Sequence, residues 1–340
     1  MNTPDDSLAP DADPLRPDGF DFDFAVKTPF RMQPGLRRLA ADHPGLTPTR
    51  PGSRHQREKL AVLTALAADA LLCETGFDPT PALVGLMEHA ARTLPHAWAW
   101  DGQRAEARLL GAAVDARGGV EPVAQGVFGL GDEVTRCLAG LPPVWRVAGL
   151  LALAFEEDLA IVDADRGTLP WMAVCLPSFW APADKIGRSF AAAHEPVADN
   201  RMLLAASDSL MRLVAGAERW ERFVWTITPH SRLHGHPARL DPRGWSLTPV
   251  QHAWWRTEHQ CFLPVRTTEG AQAVFTIRVA LQRLDDAVTT PARARALHDA
   301  LASQSEAVRR YRQLEDVAPA LLAWLQDREA RPPRTGSLDP

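Results

Sequence analysis

The chain has 340 residues, of which 46% are apolar and 23% charged, with a formal net charge of -5. That balance is typical of a folded, water-facing protein long enough to bury a core of normal size. A weakly acidic chain with no basic block excludes a general nucleic-acid binder and gives no reason to invoke a membrane surface.

The four cysteines, Cys73, Cys137, Cys175 and Cys261, form no CxxC pair and sit in apolar stretches, so free buried thiols are expected in place of disulfides. Residues 1–19 are acidic and proline-rich, without the basic start and apolar middle of a signal peptide. No run reaches the roughly 18 apolar residues of a membrane span. A cytoplasmic protein is therefore expected, with disordered tails at 1–19 and 331–340 flanking one domain over 20–330. Helical spacing over 54–74 (Leu60, Leu63, Ala67, Leu71, Leu72) predicts a first long helix. A second is predicted near 80–94, capped by Thr80 with Pro81 in its first turn. Residues 151–165 read as two short apolar runs around an acidic pair, and 169–180 as a strand closed by proline. The apparent helix from Pro182 to Ala193 ends at Pro196, and another helix is expected at about 199–217. The stretches 222–229 and 273–284 alternate like strands, with Phe223, Trp225 and Ile227 on one side of the first. Helices at 291–312 and 316–328 close the chain. Strands with non-helical returns, bracketed by helices, predict an α+β fold with a mostly antiparallel sheet.

Five blocks in order carry a resemblance. FDFDFAVKTPFRMQPGLRRL (20–39), FEEDLAIV (155–162), LPWMAVCLPSFWAPADKIGRSFAAAHEPV (169–197), RFVWTI (222–227) and WWRTEHQCFLPVRTTEGAQAVFTIRVAL (254–281) together resemble the alpha subunit of haem-dependent oxidative N-demethylases over roughly 20–315. The resemblance implies a PAS-like sheet flanked by helices and holding a haem. It also implies O2-dependent oxidation of a small secondary amine to amine plus aldehyde, with electrons from a separate flavin and iron–sulfur NAD(P)H reductase. The chain departs from the family pattern at Val224 (Asn in the family), His259 (Arg), Ala198 (Pro) and Cys261 (Thr). These departures motivate an alternative, a non-catalytic PAS-like haem or small-molecule binding or sensor protein.

A haem needs an apolar slot, an axial ligand and cations for its propionates. His194, in the His-x-Pro-Val signature, is the expected iron ligand, against the alternative of a capping or core histidine. Lys185, Arg222 and Arg278 are candidates for the propionates, each equally able to form a salt bridge or remain solvated. Trp225 can line the slot. On an extended segment Arg256, Glu258 and Gln260 share one side. They form either a buried polar network or a catalytic set in which Glu258 holds a cationic amine and Arg256 steers O2 or a propionate, with Arg278 alongside. His230, His234 and His236 space as H-x3-H-x-H, which can bind a divalent metal, can supply an alternative haem ligand or can be a solvated loop. GVFGLGDE (126–133) resembles part of a dinucleotide fingerprint without its spacing.

Overall fold

The computed structural model describes residues 20–267 and 270–330; both expected tails lie outside the described residues. Two antiparallel sheets organise the chain. The larger has the order β1 (Arg37–Arg38), β9 (Trp220–Thr228), β10 (Trp254–Thr267), β11 (Gly270–Arg283), β7 (Glu157–Asp163), β8 (Thr168–Ala173) and β2 (Leu71–Cys73). The smaller runs β3 (Trp98–Trp100), β4 (Arg104–Ala107), β5 (Ala112–Asp115) and β6 (Val120–Pro122). With helices on both flanks, the expected α+β class with antiparallel sheets holds.

Several element boundaries differ from expectation. The helix predicted over 54–74 stops at Ala65; a short turn follows, and Leu71–Cys73 pairs with β8 as an edge strand. A helical pattern costs little to interrupt when the sheet offers an edge to pair with. Of the two runs predicted at 151–165, the first is the end of helix Arg146–Ala154, whose residues from Ala148 on are all buried. A fully apolar run has no periodicity by which to tell helix from strand. Thr80 lies inside the helix Thr80–Thr93, and its amide is capped by Asp78 Oδ1 at 2.9 Å. Only Phe190–His194 of the expected 182–193 helix is α-helical, with Ser189 as its N-cap. The 199–217 and 291–312 helices each break into two, Arg201–Ala205 with Ser207–Val214, and Pro291–Ala302 with Glu306–Tyr311. The smaller sheet is unanticipated: its strands are three or four residues long and alanine-rich, below what alternation can reveal.

Register fixes the two faces of the large sheet, because residues directly opposite each other point the same way. On one face, Glu221, Phe223, Trp225 and Ile227 lie opposite Cys261, His259, Thr257 and Trp255. On the other, Arg222 and Val224 lie opposite Gln260 and Glu258, and Phe262 lies opposite Phe275. The first face packs Trp225, Ile227 and Trp255 against Leu297, Leu301, Leu321 and Leu325 of the C-terminal helices. The second gathers Ala160, Val162, Met172 and Ala273 beneath Met211 and Val214, with Trp180, Phe190, Phe262 and Phe275 packed against them. Among the described residues no helix is long and apolar enough to cross a membrane.

Candidate functional site

The second face gathers four of the residues expected from sequence. His194 ends the helix Phe190–His194, stacked on the Phe190 ring at 4.0 Å, and so borders the aromatic cluster that Phe190 joins. Its Nδ1 lies 2.8 Å from the Phe190 carbonyl oxygen. A carbonyl only accepts, so Nδ1 carries the hydrogen and Nε2 keeps its lone pair. Burial first, with Lys185 and Arg222 adding, pushes the imidazole down to about 4, so it is neutral at physiological pH. Lys185 Nζ donates to the Ala193 carbonyl at 2.6 Å and lies over the Trp180 ring at 5.6 Å, and burial lowers its pKa too. Arg222 has a fully buried Nε with no hydrogen-bond partner. Burial lowers its pKa against the pull of Glu258. Glu258 is buried and accepts from Gln260 Nε2.

The other expected residues are placed elsewhere. Arg256 is 2% exposed, and its guanidinium is enclosed by acceptors: Ser178 Oγ (2.8 Å) and the carbonyls of Leu176, Pro177, Arg232 and Leu233 (2.8–3.2 Å). It ties two loops to β10, which is the buried-network reading of the Arg256–Gln260 run. Burial pushes its pKa to about 10 despite three nearby carboxylates. Arg278 lies on the opposite face, where Nε pairs with Glu156 at 2.7 Å. Trp225 is also on that face, stacked on Trp255 at 5.0 Å with Nε1 donating to the Ala25 carbonyl. Neither is brought together with His194.

The His-rich loop does not assemble a metal set. His234 Nδ1 is held by the Cys175 carbonyl at 2.6 Å, His236 Nδ1 accepts from the Ala238 amide, and His230 packs near Phe179. In the glycine-rich 126–133 loop, the Glu133 carboxylate takes the amides of Leu130 and Gly131, which a phosphate would otherwise need. All four cysteines are free, as expected, but Cys73 is exposed. It sits on the edge strand that was read as helix.

Sequence reasoning missed Glu221, which with His259 and Cys261 forms a buried group whose ligating atoms lie within 4.8 Å of one another. The i, i+2 spacing of His259 and Cys261 was visible, but Glu221 joins them only through the β9–β10 register.

A family model described as "Haem-dependent oxidative N-demethylase, alpha subunit-like" matches residues 143–322, just over half the chain. The match spans β7 to β11 together with His194, Lys185, Arg222 and Glu258, and leaves the smaller sheet outside. A search of curated proteins finds no match to the chain.

Proposed function

This chain belongs to the haem-dependent oxidative N-demethylase alpha-subunit-like family, and from that premise we propose that it is a haem-dependent oxidoreductase whose haem lies over the second sheet face. The observation that carries the reading is His194. One ring nitrogen is spent on the Phe190 carbonyl, as in most metal-bound histidines, and the ring stays neutral beside an aromatic cluster and two cations. These features fit a haem: an imidazole with a free lone pair, apolar walls, and a buried guanidinium edge without a partner. His194 would hold the iron, and Arg222 and Lys185 the propionates. When bound, the haem supplies O2 activation and oxidation of a C–H bond next to nitrogen.

The chain's own residues bind and orient. Glu258, buried and steadied by Gln260, offers a carboxylate to a protonated secondary amine. Trp180, Phe190, Phe262 and Phe275 keep water from the reacting carbon. Arg256 acts as scaffold, holding the loops at 176–178 and 232–233 in place. We take the large sheet as the family's PAS-like element. The amine, O2, two electrons and two protons yield demethylated amine, aldehyde and water, so a reductase partner must supply the electrons.

The test is haem titration of the purified chain. A Soret band is expected, shifted or lost in His194→Ala and retained in His236→Ala. With NADPH, a flavin and iron–sulfur reductase and an N-methylated secondary amine, formaldehyde should accumulate. A chain that binds no haem sinks the proposal. A haem-bound chain that releases no aldehyde from a panel of such amines refutes the enzyme and leaves a binding protein.

A further inference from the structure

On the first sheet face, opposite the haem reading and independent of it, we propose that Glu221, His259 and Cys261 form a buried binding site for one zinc-like divalent cation. His259 Nε2 lies 2.6 Å from Glu221 Oε2 and 3.4 Å from Cys261 Sγ. The carboxylate and the sulfur therefore converge on the same ring nitrogen. A nucleophile–base–acid relay needs them on opposite nitrogens. Two groups meeting at one nitrogen describe instead the corner of a coordination shell. The three side chains are 6%, 9% and 2% exposed, and a mixed sulfur, nitrogen and oxygen set suits zinc more than magnesium or calcium.

The surroundings hold these groups in position. Arg37 Nε binds Glu221 Oε1 at 2.7 Å, which turns Oε2 toward the histidine. The His259 ring is stacked on Phe223 at 4.6 Å and meets His43 edge-on at 5.4 Å. Gly45 holds the His43 ring from the main chain and leaves room for Leu263. Its φ is +71°, its amide donates to His43 Nδ1, and a Cβ there would stand 2.8 Å from Leu263. Tetrahedral zinc with bonds of about 2.0–2.3 Å places its ligand atoms roughly 3.3–3.7 Å apart. The sulfur–nitrogen pair already has that separation. The oxygen–nitrogen pair must open by several tenths of an ångström as zinc replaces the hydrogen between them. The thiol gives up its proton on coordination.

The full-length protein, incubated with zinc chloride and desalted, is analysed for metal content and by X-ray absorption at the zinc edge, where haem iron does not interfere. The expected result is about one zinc per chain, with one sulfur and the rest nitrogen or oxygen neighbours. Zinc content should fall at least tenfold in Cys261→Ser and His259→Gln. It should be unchanged in a variant with His230, His234 and His236 all replaced. Cys261→Thr, which places a β-branched side chain of similar size in the strand, covers the case in which serine unfolds the chain. A sulfur-free shell, or full zinc retention in Cys261→Thr, overturns the site. The wild-type spectrum decides even if every variant fails to fold.

Discussion

Arg256→Ala separates a structural arginine from a reacting one. The wild-type guanidinium contacts five acceptors at 2.8–3.2 Å, four of them main-chain carbonyls of two loops that are also joined by a bridge between Ser178 and Gly235. A hydrogen bond from a charged donor contributes about 1.5–3 kcal/mol, and each buried acceptor left without a donor costs about 1–3 kcal/mol. These terms are not additive, and water entering the space left by the side chain recovers part of the loss. Truncating one buried charged partner typically costs about 3–5 kcal/mol, and we expect that range here, at least a fifth of the roughly 5–15 kcal/mol that holds a typical domain together. Arg256→Lys should recover little, because an ammonium cannot reach acceptors spread around a planar fork. The assay is urea unfolding followed by circular dichroism and tryptophan fluorescence, comparing midpoints at constant slope. If Arg256→Ala unfolds within about 1 kcal/mol of wild type yet abolishes amine oxidation, the scaffold assignment is wrong and Arg256 belongs to the chemistry.

Further outcomes follow from other residues. Burial depresses the imidazoles of His55, His89 and His230 below their ordinary 6.5, so the unfolded chain binds more protons. Their contribution is complete above 6.5 and is lost as pH falls through that value toward the folded ones. Fully buried His55 contributes a slope of up to about 1.4 kcal/mol per pH unit. Unfolding midpoints that do not fall between about pH 7.5 and 5, or that fall equally in His55→Gln, contradict this. Arg222→Met removes a cation whose buried Nε has no partner. The haem-free chain should be as stable as wild type or more so, while haem affinity drops at least tenfold; a clear loss of stability would mean that the guanidinium is structural. Native protein should react with a thiol reagent first at Cys73, since Cys137, Cys175 and Cys261 are buried, but slowly for an exposed thiol because partial burial and Glu74 raise its pKa. Labelling that persists at the same rate in Cys73→Ser would contradict the burial pattern.

The sequence by itself determined the fold class, the strands at 222–229 and 273–284, and the shared side of Arg256, Glu258 and Gln260, because alternation in a strand is local and has a period of two. Its five ordered blocks also pointed to the family that the match over 143–322 shows. What alternation cannot say is which face of a sheet a residue joins, or whether its donors are already filled. Arg256 and Glu258 are two residues apart on one strand, yet one is enclosed by carbonyls and the other borders Arg222. Arg278 and Trp225 are as conspicuous in the sequence as Arg222, but each points to the opposite face. Glu221 meets His259 and Cys261 across 38 and 40 residues through strand register alone. Leu71–Cys73 left its helical pattern for a sheet edge formed a hundred residues later. In each case the deciding interaction is long-range: side-chain chemistry is written locally, but burial, pairing and hydrogen-bond saturation depend on the parts of the chain that fold up against it.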